Sequence, residues 1–345
     1  MFMRRITEAI GELVSDKLVE GYIVSLNDST NDLLRYGSIP AKVVAWGAER
    51  SKWRLVTHIL TSLPCLDVLI VGHIGPSPVA YLTRKLRRAW RYYVILHGIE
   101  AWKRVSPAKQ IAAYEADHII ATTQYTAQAF SRYNKVPIER LQVIPLCADE
   151  RPISPRSGFR LYGGFKLLCV ARQEASERDK GFEHIFHALA RLNSTYPDIH
   201  LNLVGNGNDQ SRLKRVTAEL CVSQQVTFWG ALSDEDLAAA YSDCDVFVMP
   251  SKKEGFGIVF LEAMRHGKPC IGGNHGGTPE VIEHGKSGYL VNYGDAEALA
   301  GYIAKLRQYP SLRAAFAACG RNLVEGRYSA AEFRNRYRKL ILGRQ

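Results

Sequence analysis

Glu254 and Glu262 stand with seven residues between them in the mostly apolar stretch SKKEGFGIVFLEAMRHGKPC. Carboxylates cost free energy when they leave water, so each needs either a solvent-facing position or a polar partner. Gly255 and Gly257 flank Phe256 and remove side chains where the backbone turns, which lets amide N–H groups approach a ligand. The pattern predicts a helix from about Gly257 to His266, closed by Gly267. The positive end of that helix, together with the amides, suits an anion or sugar hydroxyls. A carboxylate at Glu262 could then accept two charge-assisted hydrogen bonds from a vicinal diol. A plainer alternative stays open at this point. Taken singly, Glu254 is an early-turn acid favouring the helix dipole, and Glu262 is a residue facing solvent.

A loop of this kind needs a sheet to hold it. The 345 residues, 46% of them hydrophobic, suffice for about two domains with a core each. Short apolar runs alternate with amphipathic helical patterns, which predicts parallel-sheet α/β units. GYIVSL, AKVVAW, DVLIVG, RYYVIL, DHIIAT and LQVIPL read as strands in the first half. FKLLCVA, IHLNLVG, QVTFWG, CDVFVMP, KPCIGG and GYLVN form a second series. Between the two, LCADERPISPRSGFRLYGG is rich in Pro, Ser and Gly without a period and reads as a linker. The expected architecture is α/β, with two tandem Rossmann-like doubly wound domains at 1–148 and 165–328. A linker at 149–164 joins them, and a C-terminal helix at 329–345 carries Phe333, Tyr337, Leu340 and Ile341 on one face. Ligands of open parallel sheets collect beyond the carboxyl ends of the strands, so an interdomain cleft is the expected binding place.

Forty-five basic residues against thirty-four acidic ones leave a net charge of +11, which favours an anionic partner. SPVAYLTRKLRRAWRYY reads as a helix with Leu82, Leu86 and Trp90 facing inward and Arg84, Lys85, Arg87, Arg88 and Arg91 around them. A charge run is ordinarily a solvated helix face. Yet Glu100 alone opposes eight basic residues between Arg84 and Lys109, so contact with an anionic membrane presenting a lipid-linked acceptor is expected. No interleaved aromatic platform or helix-turn-helix pattern points to nucleic acid. The seven cysteines are scattered singly, without metal-ligand spacing, which predicts a reduced compartment and no metal. No apolar run approaches the ~18 residues that cross a bilayer, so the expected location is cytoplasmic, at most peripheral on the inner face of the membrane.

PSKKEGFGIVFLEAMRHGKPCIGGNHGGTPEVIEHGKSGYLV resembles the nucleotide-sugar site of the retaining glycosyltransferases of family 4, which have the two-domain GT-B fold. The resemblance is carried by Glu254, Glu262, Gly276, Gly277, Pro279 and Glu280 within P-S-x-x-E-G-F-G-x-x-x-L-E-A-M. Upstream, LLCVARQEASERDKGFEHIFHAL is similar to the family's strand, arginine, loop and Lys-Gly arrangement, and implicates Arg172 and Lys180 at a longer separation than usual. LVGNGNDQSRL, with Gly205 and Gly207, resembles the loop beside the nucleotide base, and HGIEAW at His97 and TQYTAQAF at Thr123 resemble first-domain elements.

The resemblance implies transfer of a sugar from a nucleotide-diphosphate sugar to a saccharide or lipid-linked saccharide, with retention of anomeric configuration. No cofactor or metal would be needed, because Arg172 and Lys180 would neutralise the diphosphate. Glu254 would hold the donor hexose and Glu262 the ribose hydroxyls, helped by amides at Gly255, Phe256 and Gly257 and by Gly205, while His97 would lie near the sugar and leaving group. Glu100 and Glu280 receive no role, and His73 is expected to be structural. The family's opening strand and Gly-rich loop do not precede the helix expected at Arg4–Leu18, so the first domain is expected to be incomplete at its start. The alternative function is a catalytically inactive relative serving as a binding or scaffold subunit. An inverting epimerase or a hydrolase is disfavoured by the setting of Glu254 and Glu262.

Overall fold

The computed structural model describes residues 21–25, 43–61, 68–87, 91–148 and 158–342. The helix expected at Arg4–Leu18, residues 149–157 of the expected linker, Arg88 and Trp90 lie outside the described residues, as does the side chain of Arg87. Two compact units make up the chain, residues 1–147 with 329–345 and residues 148–328.

All twelve apolar runs form strands, every paired neighbour is parallel, and both units are Rossmann-like α/β structures. In the first unit β1 (Gly21–Ser25) pairs with β2 (Val43–Gly47). A second sheet has the order β3 (Val68–Val71), β4 (Arg91–Leu96), β5 (His118–Ala121), β6 (Leu141–Val143). The helices are α1 (Lys52–Thr61), α2 (Ser77–Arg87), α3 (Pro107–Tyr114) and α4 (Gln124–Asn134). The period-2 geometry of β4 decides which residue serves which layer. Tyr92, Val94 and Leu96 join Ile119, Ala121 and Phe130, whereas Tyr93 and Ile95 join Ile120, Ile144 and Phe333, Tyr337 and Leu340 of the C-terminal helix Ala330–Leu342. That helix therefore belongs to the first unit, and Tyr93 Oη donates to the Leu340 carbonyl at 3.3 Å.

One expectation about α2 fails. Leu82 and Leu86 are 48% and 67% exposed, and the face turned inward is made of Ser77, Ala80 and Thr83. Small side chains let α2 come close to β3 and β4 and to α3. Thr83 Oγ1 satisfies itself on the Val79 carbonyl at 2.7 Å, so a hydroxyl is tolerated there.

The second unit has a six-stranded sheet of β7 (Phe165–Val170), β8 (Ile199–Val204), β9 (Val226–Gly230), β10 (Val246–Met249), β11 (Cys270–Gly273) and β12 (Gly288–Val291), in the order β12-β11-β10-β7-β8-β9. Its helices are α5 (Phe182–Leu192), α6 (Gln210–Glu219), α7 (Asp234–Asp243), α8 (Ile258–Arg265), α9 (Thr278–Val281), α10 (Ala296–Gln308) and α11 (Pro310–Glu325). On α5 the buried residues Phe182, Ile185, Phe186, Leu189 and Leu192 recur at helical spacing, each large one contributing about 2 kcal/mol by leaving water. Every residue of β10 is buried, as expected for a central parallel strand covered on both faces. Strand order reverses between β7 and β10, and the loops leaving their carboxyl ends diverge there, which is where an open α/β sheet makes its binding crevice.

Candidate active site

The two loops at the reversal are sewn together. The loop after β7 carries Arg172 and then a 3-10 segment, Ala175–Lys180, in which Glu177 leaves helical geometry at φ −119°. This kink takes up the long separation between Arg172 and Lys180. Gly181 follows at φ +81°, and a Cβ there would lie 2.5 Å from the Pro250 carbonyl oxygen, so only glycine lets this loop lie against the start of the next. The Lys252 amide donates to the Asp179 carbonyl at 2.8 Å, and Lys253 Nζ reaches the Asp179 carboxylate at 2.7 Å. Lys180 Nζ donates to Glu254 Oε2 at 3.0 Å, and their side chains are only 21% and 17% exposed. A pair this sheltered holds both charges in place at low solvent screening. Arg172 reaches the same edge, paired with Glu177 and 74% exposed.

Glu254 lies in the loop before α8 and Glu262 within α8. The Gly277 amide donates to the Glu254 carbonyl at 2.8 Å, which ties the loop after β10 to the one after β11. Gly257 caps α8 at φ +87°, and Gly267 closes it at φ +67°. Phe256, whose amide is expected to help bind the donor, has a side chain that is 4% exposed and packs edge-on against Tyr328 with ring centroids 5.8 Å apart. Its ring anchors the loop in the core, and only its backbone remains for a ligand. Glu262 Oε2 accepts from Tyr241 Oη at 2.8 Å. Burial, and then the neighbouring Glu262 carboxylate, push the Tyr241 phenol well up, so it stays a protonated donor.

Gly205 follows β8 at φ +126°, where a Cβ would meet the Ala171 carbonyl oxygen at 2.1 Å. Its amide is used internally, donating to the Gly230 carbonyl at 2.7 Å. Beneath it Gln173, fully buried, donates from Nε2 to the Gly205 carbonyl at 2.8 Å. Gln173, Asp179 and Tyr241 thus take part in the site although the sequence reading passed them over. The signal that could have found Tyr241 was its place one strand before Glu254, on the helix leading into β10.

His266, next to Tyr241, is held below the usual histidine range at about 4, first by burial and then by Arg265 and Lys268. Its Nδ1 lies 2.9 Å from Ser242 Oγ. The native pKa is below the unfolded value of 6.5, so between these values the unfolded chain binds more protons. The stability contributed is present above pH 6.5 and is lost as pH falls through about 4. Denaturant titrations at pH 7 and at acid pH are expected to show a stability loss of which about 2 kcal/mol disappears in His266→Asn.

In the first unit, His97 follows β4. Its Nε2 lies 2.6 Å from the Gly72 carbonyl oxygen, which can only accept, so Nε2 carries the proton. Burial lowers its pKa and keeps the ring neutral. Glu100 Oε1 accepts the amides of His97 at 2.6 Å and Gly98 at 3.3 Å, so this acid shapes the loop. Thr122 Oγ1 donates to the His97 carbonyl at 2.9 Å, and Thr123 caps α4 by accepting from the Thr126 amide. His73 accepts the Gly75 amide on Nδ1 at 2.9 Å, a structural role.

Two of the expected membrane-contact cations are committed inside the unit. Arg84 pairs with Asp117 at 3.0 Å, donates to the Glu115 carbonyl and lies over the Tyr92 ring. Arg91 donates to the Ile341 carbonyl at 3.4 Å. Lys85 lies over Tyr81 and is exposed. Among the described residues no group of three or more His, Cys, Asp or Glu is placed to hold a metal ion, and no helix is long and apolar enough to cross a membrane.

Residues 163–323 match the family model of glycosyl transferases group 1. Over 331 residues the chain is 28% identical to a GDP-mannose-dependent alpha-(1-6)-phosphatidylinositol monomannoside mannosyltransferase of Mycolicibacterium smegmatis, covering 86% of each protein. It is 29% identical over 286 residues to a GDP-mannose-dependent monoacylated alpha-(1-6)-phosphatidylinositol monomannoside mannosyltransferase of Corynebacterium glutamicum, covering 76% of this chain and 73% of the other. Among solved structures, Anabaena HepE in complex with UDP superimposes with a TM-score of 0.81 at 20% identity, over 98% of this chain and 95% of that one. The fold is GT-B, and the chain is similar to the group 1 glycosyl transferases over most of its second unit and to mannosyltransferases along most of its length.

Proposed function

We propose that the chain transfers a hexose, with retention and without a metal, from a nucleotide-diphosphate sugar to a lipid-linked or free saccharide, and that GDP-mannose is its donor. The donor assignment is supported by the names of the relatives. The reading rests on one observation: the sheltered Lys180–Glu254 pair at the carboxyl edge where strand order reverses. In this reading Lys180 and Arg172 face the diphosphate as fixed positive charge, Glu254 holds hexose hydroxyls, and Glu262 holds the ribose. The amides at Gly255 and Gly257 assist. The acceptor hydroxyl attacks the anomeric carbon on the face the phosphate leaves. A C–O bond forms as the other breaks, the electron pair goes to the phosphate, and that phosphate oxygen takes the acceptor's proton.

Incubation with a donor panel that includes GDP-mannose and UDP-glucose, with released nucleotide and new glycoside measured together, tests the reading. Turnover that persists in EDTA and an axial product linkage are expected. Binding of donor without release of nucleotide would instead support the scaffold alternative.

We further propose that the face bearing exposed Lys85, Leu82 and Leu86 rests on anionic membrane, where apolar and cationic side chains act together. Sedimentation with phosphatidylglycerol-containing vesicles is expected to capture the protein at low salt and to release most of it at high salt. Absence of binding at low salt rejects the idea.

A further inference from the structure

We infer that Tyr241 is a positioning residue that sets Glu262 for the donor's ribose and so gives the site its preference for ribonucleotides over 2′-deoxyribonucleotides. The inference rests on the reading that Glu262 accepts from the ribose hydroxyls.

A glutamate on a short helix has three rotatable bonds, and its carboxylate can recognise a diol only if something fixes its plane. Tyr241 Oη does this from α7, donating to Glu262 Oε2 at 2.8 Å across 21 positions of sequence. The tyrosine is itself set by packing. Its ring is 2% exposed, lies 5.8 Å from the Phe247 ring and is stacked 5.5 Å from His266. His266 in turn meets Ser242 Oγ, which joins the end of α8 to α7 next to the tyrosine. The hydroxyl therefore sits where the carboxylate needs it before any ligand arrives. An ionised carboxylate offers about four acceptor positions, so a bond from Tyr241 to one oxygen leaves capacity for two hydroxyls. Burial first, and then the Glu262 carboxylate, push the Tyr241 phenol upward, so the phenol is the donor of this bond.

Removing the hydroxyl keeps the ring, the stacking and the volume, so Tyr241→Phe tests position rather than packing. Dissociation constants are measured by calorimetry for GDP or UDP, whichever the wild-type protein binds, and for its 2′-deoxy counterpart. Wild type, Tyr241→Phe and Glu262→Gln are compared, with melting temperatures alongside. The wild type is expected to favour the ribonucleotide. Tyr241→Phe is expected to weaken ribonucleotide binding about tenfold and leave the 2′-deoxy form almost unchanged, so the ratio collapses. In turnover, donor KM rises while kcat changes little. A tyrosine serving structure alone would lower the melting temperature, weaken both nucleotides equally and leave the ratio intact, which overturns the inference. If Glu262→Gln loses the ribose preference while Tyr241→Phe keeps it, the ribose reading stands and the inference falls. If Glu262→Gln keeps the preference, both fall.

Discussion

Glu254→Ala is expected to lower kcat about a thousandfold with the chain still folded. The carboxylate does two things that alanine cannot. It accepts from Lys180 Nζ at 3.0 Å, and in the proposed reading it thereby fixes the lysine where the diphosphate's charge develops and binds the transferred sugar's hydroxyls. Removing one preorganised polar group from such a site costs about a hundredfold to a thousandfold in kcat, and a sugar free to tilt adds to the loss. Stability should fall less, because both side chains keep some solvent access and the freed ammonium can reach water. Glu254→Gln retains the shape and one acceptor but not the charge, and should lie between the two. Steady-state rates of nucleotide release and glycoside formation, with circular dichroism to confirm folding, check the result. Activity within threefold of wild type would remove Glu254 from the mechanism.

Lys180→Ala is expected to lower kcat about a hundredfold and to raise donor KM, since in the proposed reading this cation stabilises the diphosphate before and during departure. Lys180→Arg should recover only part of this, because a planar fork does not reproduce a compact ammonium held against Glu254. The stronger test is the double variant. Lys180 and Glu254 hold each other, so removing both should cost much less than the product of the single losses. Multiplicative effects in that cycle would mean that the two act separately, and that the ion pair is incidental.

Much of this molecule was legible in one dimension. Each described strand is an apolar run of three to six residues bounded by turn signals, and each was readable for that reason. The loop after β10 was legible too, since Gly255, Gly257 and Gly267 mark its turns and the two glutamates frame α8. Reading by period went wrong on α2, where Leu82 and Leu86 at i and i+4 looked inward-facing. The helix approaches the sheet too closely for leucine, and the small residues Ala80 and Thr83 occupy the interface. At Phe256, where the sequence points only to a backbone amide, the structure adds that the ring packs on Tyr328, since an aromatic side chain gains by burial.

From the order of its residues alone this protein had its strands, its parallel α/β class, the glutamate loop and the cations that resemble a nucleotide-sugar site. All of these depend on local periodicity or on short spacing along the chain. Tertiary structure alone decided that Lys180 meets Glu254 from 74 positions away, that Tyr241 holds Glu262, that Arg84 is tied to Asp117, and that the last helix packs into the first unit. These are partnerships between side chains on different loops and helices. For Lys180 and Glu254 it is the folding of parallel strands, which brings their carboxyl ends to one edge, that puts distant loops within hydrogen-bond reach.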